Sequence, residues 1–155
     1  MRLAAIFLFL LLIPNFGFSQ IKTTTFSDLG NLQKALQKPV IIHFYTDWCS
    51  VCKIEKYAIE KDKDLVKMID ENFYFINFEA EKTKETISFQ GKQFKYLPNG
   101  NSGIHELALA LSKNKNQTVY PLWIILGKNQ NLIYYYEGEF KPEKMKEKLR
   151  EITNL

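Results

Sequence analysis

Apolar residues along the chain fall into short blocks of two periodicities. Val40-Ile41-Ile42-His43-Phe44-Tyr45 is a nearly unbroken β-branched and aromatic run, and it predicts a buried strand over 40–46. Phe73 to Phe78 predicts a second strand. A third runs from Thr118 through Pro121 to Leu126. Proline lacks the N–H that a sheet ladder needs, so Pro121 belongs at the head or edge of that strand. After the turn residues Gly127-Lys128-Asn129-Gln130-Asn131, Leu132 to Tyr136 returns as its antiparallel partner, and Gly138 ends the pair. Between these runs the spacing is helical. Ser27 is the candidate N-cap of a helix with Leu29, Leu32, Ala35 and Leu36 on one face, ended by Pro39. Lys53 to Glu60 mixes apolar and charged residues as a helix does. Asp62 caps a stretch with Leu65, Val66 and Ile69 inward. Ile104 to Ser112 is helical, and Pro142 opens a last helix with Met145, Leu149 and Ile152 inward. The α, β, α, β alternation argues for an α/β sheet with parallel neighbours, covered by helices.

Residues 79–103 break the pattern. Glu79 to Glu85 is charged. Thr86 to Phe89 and Gln93 to Tyr96 alternate around Gln90-Gly91-Lys92, which predicts a β-hairpin. Pro98 to Gly103 reads as a loop, and the whole stretch as an insertion at the surface. The first residues differ again. Arg2 precedes an apolar run of 11 residues, Leu3 to Ile13. As a helix it spans only about 16 Å against a hydrocarbon core of roughly 30 Å. Pro14, Gly17 and Ser19 follow. Residues 1–19 are therefore expected to be a signal peptide cleaved near Ser19, with 20–155 as one exported domain, periplasmic or secreted.

Hydrophobic residues make up 46% of the chain and aromatics 14%, which favours a packed core over disorder. The net charge of +4 is spread as mixed Lys and Glu with no basic cluster, so nucleic acid is not an expected partner. Only two cysteines exist, Cys49 and Cys52. Both are used in one CxxC, which leaves none for stapling the fold. They stand where a strand ends and a helix begins. The unpaired N–H groups and partial positive charge of a helix start stabilise a thiolate there, so the Cys49 pKa should fall below about 8.5. Cys52, one turn deeper, would face inward and be placed to attack a sulfur bonded to Cys49.

The string Tyr45-Thr46-Asp47-Trp48-Cys49-Ser50-Val51-Cys52-Lys53 resembles the active-site segment of the thioredoxin-like superfamily. The string is most similar to that of small exported members and of the C-terminal domain of the disulfide reductase DsbD. Tyr120-Pro121 at a strand head and the closing strand, strand, Gly, helix order extend the resemblance over about 22–154, less 79–103. The resemblance implies a thioredoxin fold: a central mixed β-sheet flanked by helices, here with a β-hairpin insertion. It implies that Cys49 attacks and Cys52 resolves, that Trp48 flanks the site, and that Pro121 is cis and opposite the cysteines. The Tyr120 backbone would pair with an extended substrate. His43 stands where the family keeps a buried aspartate, six residues before the first cysteine. A neutral imidazole there can accept the resolving thiol's proton, and a protonated one would stabilise thiolate. The same residue also fits a core histidine with a backbone partner. Asp47 and Lys53 read as surface charges, His105 as structural, and Trp123 as packing.

These readings lead to an exported thiol–disulfide oxidoreductase acting on protein dithiols and disulfides, monomeric, with no cofactor beyond the Cys49–Cys52 pair. Ser50-Val51 places no histidine between the cysteines, which leans toward a reductant, fed by a membrane thiol reductase. Two other functions stay open. The thiols could bind and deliver Cu(I), although a zinc site would need two more ligands and only His43 and His105 exist. Alternatively the chain is a non-catalytic binding module that uses 79–103 as a partner surface.

Overall fold

The computed structural model describes residues 20–115 and 117–154, so the expected signal segment at 1–19 lies outside the described residues. The elements follow in the order α1 Phe26–Ala35, β1 Val40–Tyr45, α2 Ser50–Lys61, α3 Lys63–Asn72 and β2 Tyr74–Glu79. Then come β3 Ile87–Phe89, β4 Lys92–Phe94, β5 Tyr96–Asn99, β6 Ser102–His105 and α4 Glu106–Leu111. The chain ends with β7 Leu122–Leu126, β8 Leu132–Glu137 and α5 Pro142–Thr153. The main sheet has the order β2-β1-β7-β8. β1 runs parallel to β2 and antiparallel to β7, and β8 is antiparallel to β7. This is the mixed sheet flanked by helices that the sequence implied.

Strand alternation divides the core into two layers. Val40, Ile42 and Phe44 of β1 join Ile76, Phe78, Leu122 and Ile124 on one face, covered by Phe26 and Leu29 of α1 and Leu107 of α4. Ile41 joins Phe75, Trp123 and Ile125 on the other, covered by Ile59 of α2, Leu65 and Ile69 of α3, and Met145 and Leu149 of α5. His43 stacks on Trp123 and so belongs to this second layer, beneath α2. The cap at Asp62 is as expected: its Oδ1 accepts the Leu65 N–H at 3.0 Å. Its other oxygen takes Lys146 Nζ at 2.6 Å and fastens α5 to the α2–α3 junction.

Four local readings are corrected. The N-cap of α1 is Thr25, whose Oγ1 accepts the Asp28 N–H at 3.2 Å, rather than Ser27. Starting two residues earlier buries Phe26. Leu36 then becomes the exposed C-cap residue, and the helix stops short of Pro39. The Gln33 side chain bridges the gap by bonding both the N–H and the C=O of Lys38. Second, Pro98 to Gly103 is not a loop. It forms the hairpin of β5 and β6, in which Pro98 faces Gly103 in a two-stranded ribbon whose edges tolerate proline. Gly100 turns it at φ +56. Gly103 is required because a Cβ there would lie 2.4 Å from the Tyr96 ring. Third, the segment before α4 is strand, so that helix begins only at Glu106.

The fourth correction concerns β3 and β4. The hairpin forms as expected, with Gln90 and Gly91 both at positive φ in its two-residue turn. It is not merely a surface addition. Ile87 and Phe89 are buried, and Phe89 meets Phe26 edge-on at 5.5 Å between ring centroids. Phe89→Ala should therefore cost about 3–5 kcal/mol in urea unfolding. A loss below about 0.5 kcal/mol, typical of surface changes, would place the hairpin outside the core after all.

Candidate active site

The site grows from the C-terminal end of β1. The Cys49 N–H bonds the Thr46 carbonyl at 3.1 Å, a turn that brings Cys49 to the N-cap of α2. Its Sγ accepts the Cys52 N–H at 3.1 Å, so the sulfur receives an otherwise unpaired donor of the helix start. Cys49 and Cys52 are joined as a disulfide, and both are buried.

The loop ahead of Cys49 is held by carboxylates from the end of β2. Glu79 accepts the N–H groups of Asp47, Glu81 and Lys82. Asp47 pairs with Lys82 at the surface. The Trp48 indole N–H donates to Glu81 Oε2 at 2.7 Å, and its ring meets Tyr120 edge-on at 6.1 Å. Trp48 is itself exposed. Because Phe44 pairs with Leu122 in the antiparallel β1–β7 ladder, Pro121 and the cysteine loop share one end of the sheet. The Tyr120–Pro121 bond is cis, and the Pro121 carbonyl accepts the Gly138 N–H at 2.8 Å. A cleft of about 450 Å³ is lined by Trp48 together with Tyr96, Ser102 and Gly103 of the β5–β6 hairpin.

Behind the cysteines sits a buried polar cluster. Cys52, Glu55 and Ile59 form the buried face of α2, at the i, i+3, i+7 spacing of one helix side. Glu55 is almost fully buried. The Trp123 indole N–H donates to its carboxyl at 3.1 and 3.2 Å to the two oxygens, and the Phe140 N–H donates to Oε1. His43 Nε2 lies 3.6 Å from Glu55 Oε2, and Nδ1 is 2.8 Å from Asn77 Oδ1. The amide oxygen only accepts, so Nδ1 carries the proton and the Nε2 lone pair faces Glu55. A cavity of about 240 Å³ between the 20–23 segment and α2 reaches His43 and Asn77.

Burial decides the charge states. It pushes the Glu55 carboxyl up to about 7, against the opposing hydrogen bonds from Phe140 and Trp123. It lowers His43 to about 4, partly offset by Asn77 and reinforced by Lys56. Burial thus favours the neutral imidazole at His43, the form that can accept a proton. Its partner is the Asn77 side chain rather than the backbone. His105 is structural: Nδ1 accepts the Leu107 N–H at 3.2 Å, and Nε2 donates to the Glu85 carbonyl at 2.9 Å. Lys53 is exposed, as expected. Among the described residues, no three His, Cys, Asp or Glu side chains cluster as a metal site would require.

Glu55 went unread in the sequence because a charged residue on a helix is normally a solvated one. The signal was its spacing, three residues after Cys52 and four before Ile59. Its shifted pKa has a measurable sign. Between about 4.5 and 7 the fold holds a proton that the unfolded chain has released, so the Glu55 contribution to stability falls as pH rises. Glu55→Gln lacks that loss. Relative to wild type it should gain ~1–3 kcal/mol between pH 4.5 and 7 and level off above, by urea unfolding. A pH-independent difference would mean that Glu55 is not shifted.

A family profile described as a thioredoxin-like domain matches residues 30–153. Solved structures share the fold. A thioredoxin from Thermus thermophilus superposes with a TM-score of 0.60 at 14% identity, covering 86% of this chain and 88% of that one. The DsbH oxidoreductase gives 0.60 at 11% identity over 91% and 90%. The oxidised C-terminal domain of DsbD from Neisseria meningitidis gives 0.50 at 19% identity over 85% and 98%. No curated protein matches the sequence. With the profile spanning most of the chain and a CxxC disulfide at the head of α2, the protein belongs to the thioredoxin-like family, as a member equipped for thiol–disulfide exchange.

Proposed function

We propose that this protein is an exported reductant of disulfides in envelope or secreted proteins, working as a monomer and recharged by a membrane thiol reductase. The observation that carries the reading is the Cys49–Cys52 disulfide at a helix N-terminus with a buried carboxyl one turn behind it. Export rests on the signal-like character of residues 1–19. The reducing direction rests on Ser50-Val51, which adds no positive charge to favour a thiolate at Cys49.

In the reduced protein, the Cys49 thiolate attacks one sulfur of the substrate disulfide. A Cys49–substrate bond forms, and the other substrate sulfur leaves as thiolate. Cys52 then gives its proton to the Glu55 carboxylate and attacks Cys49 Sγ. The internal disulfide closes, the second substrate thiolate departs, and two electrons have passed from the dithiol to the substrate. The proton-accepting role suggested for His43 passes here to Glu55. A base near 7 is matched to a thiol at neutral pH, whereas a group near 4 is not. Trp123 and the Phe140 N–H orient the carboxyl, and His43, held by Asn77, packs beside it. Trp48 and the Tyr120–Pro121 segment form the substrate's landing surface, with the Tyr120 backbone available for strand-like pairing.

Equilibration with glutathione buffers should give the Cys49–Cys52 pair a potential near that of thioredoxin, roughly −270 mV. Cys49→Ser should abolish insulin reduction. A value near that of DsbA, roughly −120 mV, would overturn the reductant reading and indicate an oxidase.

A further inference from the structure

The outer face of α2 carries apolar side chains that the fold does not use. Val51 and Ile54 are 43% and 64% exposed, and they continue the line begun by Trp48 at 68%. The spacing of three puts Val51 and Ile54 beside each other on the helix surface. The line runs on toward Tyr57, whose ring carries the Lys61 ammonium at 4.5 Å. It starts at the residue next to Cys49 and is accompanied along the helix by the exposed Lys53 and Lys61. The one carboxylate bordering it on α2, Glu60, lies 3.8 Å from Lys56.

We infer that this stripe is a docking surface for the redox partner: an apolar segment with acidic residues beside it, next to the partner's reactive cysteine. The inference rests on the exchange chemistry proposed above and names what that site recognises. Three observations commit it to this occupant. Any protein disulfide attacked by Cys49 must press its flanking residues on Trp48 and the first turn of α2, so the stripe continues the contact that chemistry demands. Lys53 and Lys61 along the stripe select carboxylates by charge, while Asp47 and Glu81 at its Trp48 end are already engaged by Lys82 and the indole N–H. The size also fits. With full aromatic side chains at about 150–250 Å², the exposed stripe is on the order of 400 Å². Transient redox interfaces bury less than about 1,200 Å² in total, so roughly 600 Å² on each side.

The test uses the full chain, recycled with dithiothreitol, and three disulfide probes. Two are synthetic peptides, each closed by one internal disulfide. One carries Leu and Glu beside its cysteines, the other Ser and Lys. The third is 2-hydroxyethyl disulfide, which is small and uncharged. Wild type should reduce the Leu/Glu peptide with a kcat/KM about tenfold above that of the Ser/Lys peptide. Ile54→Glu keeps a good helix former at an exposed position, so the fold should hold. It should lower kcat/KM for the Leu/Glu peptide about tenfold, mainly through KM, and change 2-hydroxyethyl disulfide reduction by less than about twofold. Lys53→Glu should erase the preference between the two peptides. Equal use of both peptides by wild type would overturn the inference. So would a parallel loss on all three probes in Ile54→Glu. So would a wild-type dimer in sedimentation that Ile54→Glu dissociates, since a second copy would then be the occupant. If wild type reduces none of the probes, the exchange reading fails first, independently of Ile54.

Discussion

A carboxyl group enclosed between a helix and a sheet must be neutral or fully hydrogen-bonded, because its charge loses several kcal/mol of hydration there. Glu55 meets that constraint with donors drawn from far along the chain. The Trp123 indole N–H comes from β7 and the Phe140 N–H from the segment before α5, while the unprotonated Nε2 edge of His43, from β1, packs 3.6 Å from the carboxyl. Each contact requires its element to be in register. β1 must place His43 on the α2 side, β7 must bring Trp123 opposite His43, and the β8–α5 connection must close over both. The second core layer is thus assembled around a polar centre, and that centre lies one helical turn from Cys52.

The same arrangement links fold to chemistry. Cys52 and Glu55 share a face of α2 because the helix begins at Cys49, and it begins there because the Thr46 carbonyl and the Cys49 sulfur satisfy its first donors. Burial then sets the roles. It leaves the histidine neutral and the carboxyl close to neutrality, which makes one proton available behind the cysteines. On the outside, Glu79 and Glu81 hold the Asp47-Trp48 loop and orient the indole toward Tyr120. The reactive pair therefore lies between an outer surface of Trp48 and Tyr120 and the buried Glu55 cluster.

Much of this was legible from local pattern. The run Val40 to Tyr45, the cap at Asp62 and the Pro142 helix start are short-range signals, and each appears where the residues point. What escaped was decided by distant partners. Thr25 and Ser27 are both good caps, and the burial of Phe26 against Phe78 and Phe89 chose between them. Pro98, Asn99 and Gly100 have the composition of a loop, yet the pairing of Tyr96 with His105 makes them a hairpin. Glu55 looked like one more solvated charge among lysines, until Trp123, 68 residues later, came to lie against it. The cysteines themselves needed no tertiary information, since their chemistry is carried by two residues and a helix start.

The claim on which the rest depends is that Glu55 takes the proton of Cys52. It is tested most directly by stopped flow on reduced protein mixed with an excess of 2-hydroxyethyl disulfide, following closure of the Cys49 mixed disulfide by Cys52 against pH. Wild type should show a rate that rises through an apparent pKa near 7. Glu55→Gln should be slower by about a hundredfold at pH 7 and rise only with the thiol itself, near 8.5 or above. Equal rates and superimposable pH profiles for the two proteins would contradict the account.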